Sequence, residues 1–401
     1  LVKRTLRGAI RLDHVLARSS DRPVASLDTG VRAALRLGAA QLLLFDRIPK
    51  HAAVAETVAA VAEIAPRGAG LVNAVLRRVA SSEERPGRVS LPADADAASR
   101  LALETSHPAW LVRRWLSDLG EAAARAALEA DEADAPMDLL ADPRLGEVET
   151  IREELHAAGV ETRRSPWAPL ALTVLGGDAA AHPLVRSGAL AVVDAAAQAT
   201  VEALPPSDLV LDLAAAPGGK TRTLLARGLA RRVIALERTA TRASRLAANL
   251  EASGRRVEVL VVQADSTRPP LPPARFDSVL LDAPCSGTGT LRKNPEIRLR
   301  LREEDLSGFA ARQRALFATA LPLLSPGGTL AYVTCSLEPE ENEAVADAVL
   351  REAPGFLRVR PDPDRLPPPL AACLRPTGLI RVPPGETNDG FSLLVVRRAP
   401  V

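Results

Sequence analysis

Between residues 208 and 352, short runs that are apolar almost throughout, "DLVLDLA", "RRVIALE", "VEVLVVQAD", "FDSVLLDAP" and "GTLAYVTCS", alternate with segments of helical spacing such as "RASRLAANLEASG", "GFAARQRALFATALPLL" and "NEAVADAVLRE". A strand without a polar face must be covered on both sides, and helices between successive strands supply that cover. The pattern predicts an α/β domain built on a mostly parallel sheet. Such sheets take ligands at the carboxyl ends of their strands, near the point where strand order reverses.

The rest of the chain reads differently. Residues 1–85 hold helical stretches, "GVRAALRLGAAQLLLFDRI", "AAVAETVAAVAEIA" and "GAGLVNAVLRRVASS", whose apolar positions recur at three and four residues, so an all-α bundle is expected. The segment "SSEERPGRVSLPADADAAS" has no apolar face and reads as a linker, so residues 86–133 are taken as linker and helical segment. Residues 134–200 place the candidate strands "MDLLAD" and "ALTVLG" around the helical "EVETIREELHAAG", the outline of a small α/β module. Residues 201–401 then form the parallel-sheet domain, with the Pro-rich "VRPDPDRLPPPLAA" a surface excursion before a last strand, "GFSLLVVRR". The chain opens at Leu1 within a helical pattern, so the bundle is expected to be incomplete at its start.

With 51 basic against 49 acidic residues, a net charge of +2, the whole chain has no gross basic signature, and any nucleic-acid contact must be local. Three cysteines make no disulfide framework, and no apolar run reaches the roughly 18 residues that span a bilayer. A cytoplasmic protein without a membrane segment is expected.

"DLVLDLAAAPGGKTRTLLA" places Asp212, then Ala214, Ala215, Ala216, Pro217, Gly218, Gly219 and Lys220, between the first strand and its helix. Glycines there let the backbone approach a ligand, and the helix start offers free N–H groups. The loop is neither GxGxxG nor GxxxxGK[ST], which disfavours dinucleotides and nucleoside triphosphates. Glu237 closes the second strand, where one carboxylate can serve two ribose hydroxyls, and Asp265 closes the third, within reach of a base edge.

The fourth strand ends in Asp282 and Cys285, the fifth in Cys335. A single cysteine is most often a small buried apolar residue, the reading kept for Cys373. Two at the same sheet end suggest chemistry instead. Neither lies in a CxxC pair and no His falls in either motif, so no metal site is expected. Behind Cys285 comes "LRKNPEIRLRLR", whose Arg292, Lys293, Arg298, Arg300 and Arg302 could hold a nucleic-acid backbone, with Arg292 and Lys293 the foremost candidates.

"DLAAAPGGKT", "LLDAPCSGTGTLRKNPEI" and "YVTCSLEPEENE" resemble, in order and spacing, the signature segments of S-adenosylmethionine-dependent RNA cytosine-5 methyltransferases. "LRLGAAQLLLFDRIPKHAAVAETV", "GLVNAVLRRV", "SHPAWLVRRW" and "NDGFSLLVV" are similar to the Sun/Fmu/RsmB branch, which carries a NusB-like N-terminal domain and modifies 16S ribosomal RNA. The chain departs from that pattern at Ala214, where the family usually has Cys, at "LLADP", and at "VVDAAAQAT".

The resemblance implies an all-α NusB-like bundle, a small α/β module and a Rossmann-like methyltransferase domain. It implies S-adenosylmethionine in a site formed by Ala214 to Lys220, Glu237, Asp265 and Asp282. Its partner would be 16S rRNA or a pre-assembled small-subunit particle, met by a monomer. Methylating carbon 5 of cytosine requires breaking the ring's aromaticity, most simply by adding a thiolate to carbon 6, and Asp282 could protonate N3. Spacing leaves open which thiol attacks, since in DNA cytosine methyltransferases it is the Pro-Cys thiol. The resemblance implies Cys335 as nucleophile and Cys285 as the group that assists release, with Lys220 nearby to favour the thiolate. Two other readings remain: the same chemistry on transfer RNA, and a catalytically silent RNA-binding assembly factor. An amino-group methyltransferase would want an (N/D)PP(Y/F) loop where this chain has Asp282-Ala283-Pro284-Cys285.

Overall fold

The computed structural model describes residues 1–82 and 95–400, which divide into two compact units. Most of the expected linker therefore lies outside the described residues.

The first unit comprises Leu1–Asp134 together with Leu291–Glu303. Its helices include Ala9–Ser19, Thr29–Leu44, Lys50–Ile64, Ala69–Ser81, Ala97–Glu104, Ala109–Leu119 and Glu121–Ala130. Asp28 caps the longest of them, accepting from the Gly30 N–H at 2.8 Å, and Asp96 caps another through the Ser99 N–H at 2.7 Å. Leu12, Leu16, Leu35, Val72, Leu76 and Val79 fill the core. Gly38 allows a close crossing, since a Cβ there would stand 2.4 Å from Leu76 Cδ1.

The second unit, Ala135–Thr290 and Glu304–Val401, holds two sheets. Strands β1 (Asp138–Leu140), β2 (Glu161–Arg164), β3 (Ala171–Gly176) and β4 (Ala191–Val192) form a small antiparallel sheet in the order β2-β3-β1-β4. Sequence reading found β1 and β3 but not β2, whose "ETRR" is largely solvent-facing, nor β4, too short for a pattern.

The larger sheet contains β5 (Ser207–Asp212), β6 (Ala230–Glu237), β7 (Val259–Gln263), β8 (Phe276–Asp282), β9 (Leu324–Thr334), β10 (Phe356–Val359), β11 (Ile380–Val382) and β12 (Phe391–Arg398). Its order is β10-β12-β9-β8-β5-β6-β7, with β11 on β12. The five strands from β9 to β7 are parallel, whereas β12 runs antiparallel to β9, β10 and β11. Each face has its own apolar cluster: Val210, Leu280, Val333, Leu224 and Leu246 on one, Leu211, Leu281, Val279 and Phe317 on the other. Continuous apolar strands and two-sided cover are thus one fact. Strand order reverses between β5 and β8, and the loops that follow these two strands carry the residues of interest.

Candidate active site

The loop after β5 is pinned from several sides. The Arg242 guanidinium donates to the Ala216 carbonyl at 2.8 Å, Asn249 Nδ2 donates to the Pro217 carbonyl at 2.8 Å, and the Ala215 N–H bonds the Leu236 carbonyl at 3.0 Å. The Ala216–Pro217 bond is cis and Gly218 has φ 106°, a backbone that favours glycine. The turn delivers Lys220 across the reversal point: its Nζ lies 2.7 Å from Asp282 Oδ2 at the end of β8. The Asp282 charge raises the Lys220 pKa against burial, which acts as the larger single influence in the opposite direction. Asp212, buried at the end of β5, is pushed up to about 6 by burial, against the Thr221 hydroxyl that donates to it at 2.7 Å.

Beside this pair the two predicted thiols meet. Cys285 Sγ and Cys335 Sγ are 3.0 Å apart, the first on the loop after β8 and the second on the loop after β9. These loops are joined through the backbone, Ala283 N–H to the Val333 carbonyl at 2.8 Å and Gly289 N–H to the Cys335 carbonyl at 3.0 Å. The Cys285 thiol is pushed well above its ordinary pKa, first by its hydrogen bond with Cys335, then by burial and by the charges of Cys335, Glu341 and Asp282. Cys373 lies elsewhere, half-buried against the core.

Under the thiols is a polar lattice that sequence reading missed. Glu341 Oε1 accepts from the Ser286 N–H at 2.9 Å and from Gln313 Nε2 at 2.9 Å, and Oε2 accepts from the Ser286 hydroxyl at 2.5 Å. Gln313 Nε2 also donates to the Pro284 carbonyl at 3.0 Å. Tyr332 OH donates to the Glu341 carbonyl at 2.5 Å, while Asn342 and Thr334 tie down the turn after Cys335. In the sequence this acid sits in "EPEEN", which looks like a solvated turn.

A cavity of about 360 Å³ opens next to the site, lined by Leu213, Ala214, Glu237, Asp265, Ser266, Thr267, Pro284, Arg312 and Leu316 among others. Glu237 is held by the Arg242 guanidinium at 3.0 Å and the Thr239 N–H at 3.3 Å. Asp265 is exposed, and its pKa is lowered by the Thr267 N–H and then the Thr267 hydroxyl.

The basic run corrects one expectation. Arg292 is fully buried and Arg298 nearly so, inside the helical unit, so neither guanidinium is open to a nucleic-acid backbone. Arg298 donates to the main-chain carbonyls of Arg7 at 3.0 Å, Ser106 at 3.3 Å and Asp131 at 2.8 Å, and to Glu132 at 2.5 Å. Acceptors from distant segments gather round it, which local sequence does not reveal. Lys293 is half-exposed, and Arg300 and Arg302 are exposed. Among the described residues no group of His, Cys, Asp or Glu could hold a metal, and no helix is long and apolar enough to cross a membrane.

The open, mostly parallel sheet, its glycine loop and the acids at its strand ends define a Rossmann-like methyltransferase. Family models match the chain as 16S rRNA methyltransferase RsmB/F over residues 199–391, NusB family over 1–81, and the RsmF/B-like ferredoxin-like domain over 107–178. The ribosomal RNA small subunit methyltransferase B of Vibrio cholerae is 34% identical over 360 residues, 89% of this chain and 79% of that one. That of Pasteurella multocida is 33% identical, covering 97% and 84%. The crystal structure of PH0851 superposes with a TM-score of 0.83 at 25% identity, over 98% of this chain and 88% of that one. The chain belongs to the RsmB/F family of 16S rRNA methyltransferases, whose methyl donor is S-adenosylmethionine.

Proposed function

We propose that the protein methylates carbon 5 of one cytosine in 16S rRNA through a covalent adduct of Cys335, acting in the cytoplasm as a monomer on free RNA or on a pre-assembled small-subunit particle. The observation that carries this reading is the 3.0 Å approach of two thiols from adjacent strand ends, beside the Lys220–Asp282 pair.

The residues present fit the donor. Ala214 to Gly219 offer close backbone, Glu237 lines the cavity where ribose hydroxyls would bind, and Asp265 stands where the adenine edge would come. When bound, S-adenosylmethionine supplies the methyl group as a sulfonium electrophile.

The Cys335 thiolate adds to carbon 6, forming a C–S bond, and the displaced π pair makes carbon 5 nucleophilic as the Asp282 carboxylate relays a proton from the Lys220 ammonium to N3. Lys220 holds the Asp282 carboxyl in place for that transfer. Carbon 5 then takes the methyl group. In release, the carbon 5 proton passes to Cys285, whose own S–H proton passes to the departing Cys335 sulfur 3.0 Å away. The C6–S bond breaks, N3 returns its proton through Asp282 to Lys220, and Cys335 loses its proton to water before the next turnover. The target base must leave its stack, at roughly a few kcal/mol that is least in a loop or single strand. Lys293, half-exposed, would steady the RNA backbone.

Substituting each thiol tests the reading. Cys335→Ala should abolish turnover, and Cys285→Ala should trap a protein–RNA adduct that survives denaturing electrophoresis. An adduct trapped by Cys335→Ala instead would exchange the roles, and bisulfite sequencing of 16S rRNA with and without the enzyme would show no methylated cytosine if the chemistry is another.

A further inference from the structure

The two thiols are chemically alike but stand in different surroundings. The peptide on both sides of Cys285 is gripped by one fully buried side chain: Glu341 accepts from the Ser286 N–H and hydroxyl and, through the Gln313 amide, is linked to the Pro284 carbonyl. The Ser286 N–H, the Ser286 hydroxyl and the Gln313 amide all donate to the carboxylate, which is how an ionised acid is satisfied when buried. The Lys220 ammonium holds the Asp282 carboxylate at the end of β8, 2.7 Å away.

We propose that Glu341 is a positioning residue that divides the labour between the thiols: it fixes the Cys285 loop and sets a buried negative charge beside it, so that Cys285 stays a thiol and attack falls to Cys335. This rests on the covalent mechanism proposed above. It explains why a second thiol 3.0 Å from the first does not compete for the base.

The ionisable groups facing Cys285 are consistent with the assignment. Cys335, Glu341 and Asp282 all oppose a negative charge on its sulfur. The buried Tyr332 hydroxyl is itself pushed up in pKa, first by burial, then by Cys285 and Glu341. The Lys220 ammonium is bound to Asp282.

The test needs no RNA, so its outcome stands apart from that of the adduct experiment. In the native full-length chain, iodoacetamide labelling followed by peptide mapping across pH 6–10 should modify Cys335 before Cys285. In a Cys335→Ala, Cys373→Ala background, Glu341→Gln keeps the shape and removes the charge. It should move the midpoint of Cys285 alkylation down by about one pH unit, roughly a tenfold gain in rate at neutral pH. Ser286→Ala in the same background, which loosens the grip but keeps the charge, should leave the midpoint in place. Earlier labelling of Cys285 in the native chain overturns the proposal even if Glu341→Gln fails to fold. So does an unmoved midpoint in a folded Glu341→Gln, or an equal shift with Ser286→Ala.

Discussion

Lys220 Nζ and Asp282 Oδ2 lie 2.7 Å apart and join the helix start after β5 to the end of β8, the two strands between which the sheet reverses its order. The pair is partly buried, with Lys220 17% and Asp282 36% exposed at the side chain, so its value is in placing a carboxyl rather than in stability. Lys220→Met is expected to slow single-turnover methyl transfer by about 100-fold. A rate within threefold of native in rapid-quench measurements would reduce the pair to a structural contact.

Glu237 sits at the end of β6 on the wall of the cavity, its carboxylate already oriented by Arg242 and Thr239. Glu237→Ala should weaken S-adenosylmethionine binding by about 10- to 100-fold, the cost of roughly one charged hydrogen-bonding group. Isothermal titration calorimetry reads this directly, and the maximal rate at saturating donor should fall much less.

Asp212 gives a pH dependence with a definite sign. Its folded-state pKa of about 6 stands above the ordinary 3.8. As pH rises from about 4 to 6, the unfolded chain releases this proton while the folded one keeps it, so stability declines through that window and is level above it. The loss is on the order of 2–3 kcal/mol. Urea unfolding of native protein and Asp212→Asn should show the variant gaining relative stability across that interval; parallel curves would contradict it.

Gly289 and Gly390 show a close approach of backbone to backbone. The Gly390 N–H donates to the Gly289 carbonyl at 2.6 Å, and a Cβ on Gly289 would stand 2.2 Å from the Gly390 oxygen. Because the Gly289 N–H also holds the Cys335 carbonyl, Gly289→Ala should cost about 2 kcal/mol of stability and lower turnover. Thermal melts and initial rates check the two together.

Arg298 is expected to matter to folding before it matters to RNA. Removing a guanidinium that satisfies carbonyls of Arg7, Ser106 and Asp131 leaves those acceptors buried. Arg298→Ala should cost about 3 kcal/mol in the helical unit, seen as an earlier unfolding transition. Arg300→Ala, at an exposed position, should leave that transition unchanged.

Much of this architecture could be read from the chain because apolar runs without a polar face admit few solutions. The strands β5 to β9, the glycine loop and the strand-end positions of Glu237, Asp282, Cys285 and Cys335 all follow from that one pattern. Elements stabilised from a distance escaped. The strand Glu161–Arg164 is polar because its sides are largely exposed, and Phe356–Val359 and Ile380–Val382 are short strands that exist by pairing with β12. Charge was misread where burial is decided by faraway partners: Arg292 and Arg298 look like a phosphate-binding run until the carbonyls around Arg298 are seen. Glu341 was passed over because nothing local marks it as buried.

The excursion of Leu291–Glu303 into the helical unit also bears on biosynthesis. A ribosome making this chain releases the helices of residues 2–130 long before it adds Arg298, which bonds carbonyls at their ends, and by then β1 to β8 have emerged. The amino-terminal body must therefore wait, one piece short, for a segment encoded beyond the catalytic loop, so a gene truncated between the two units would yield neither part whole.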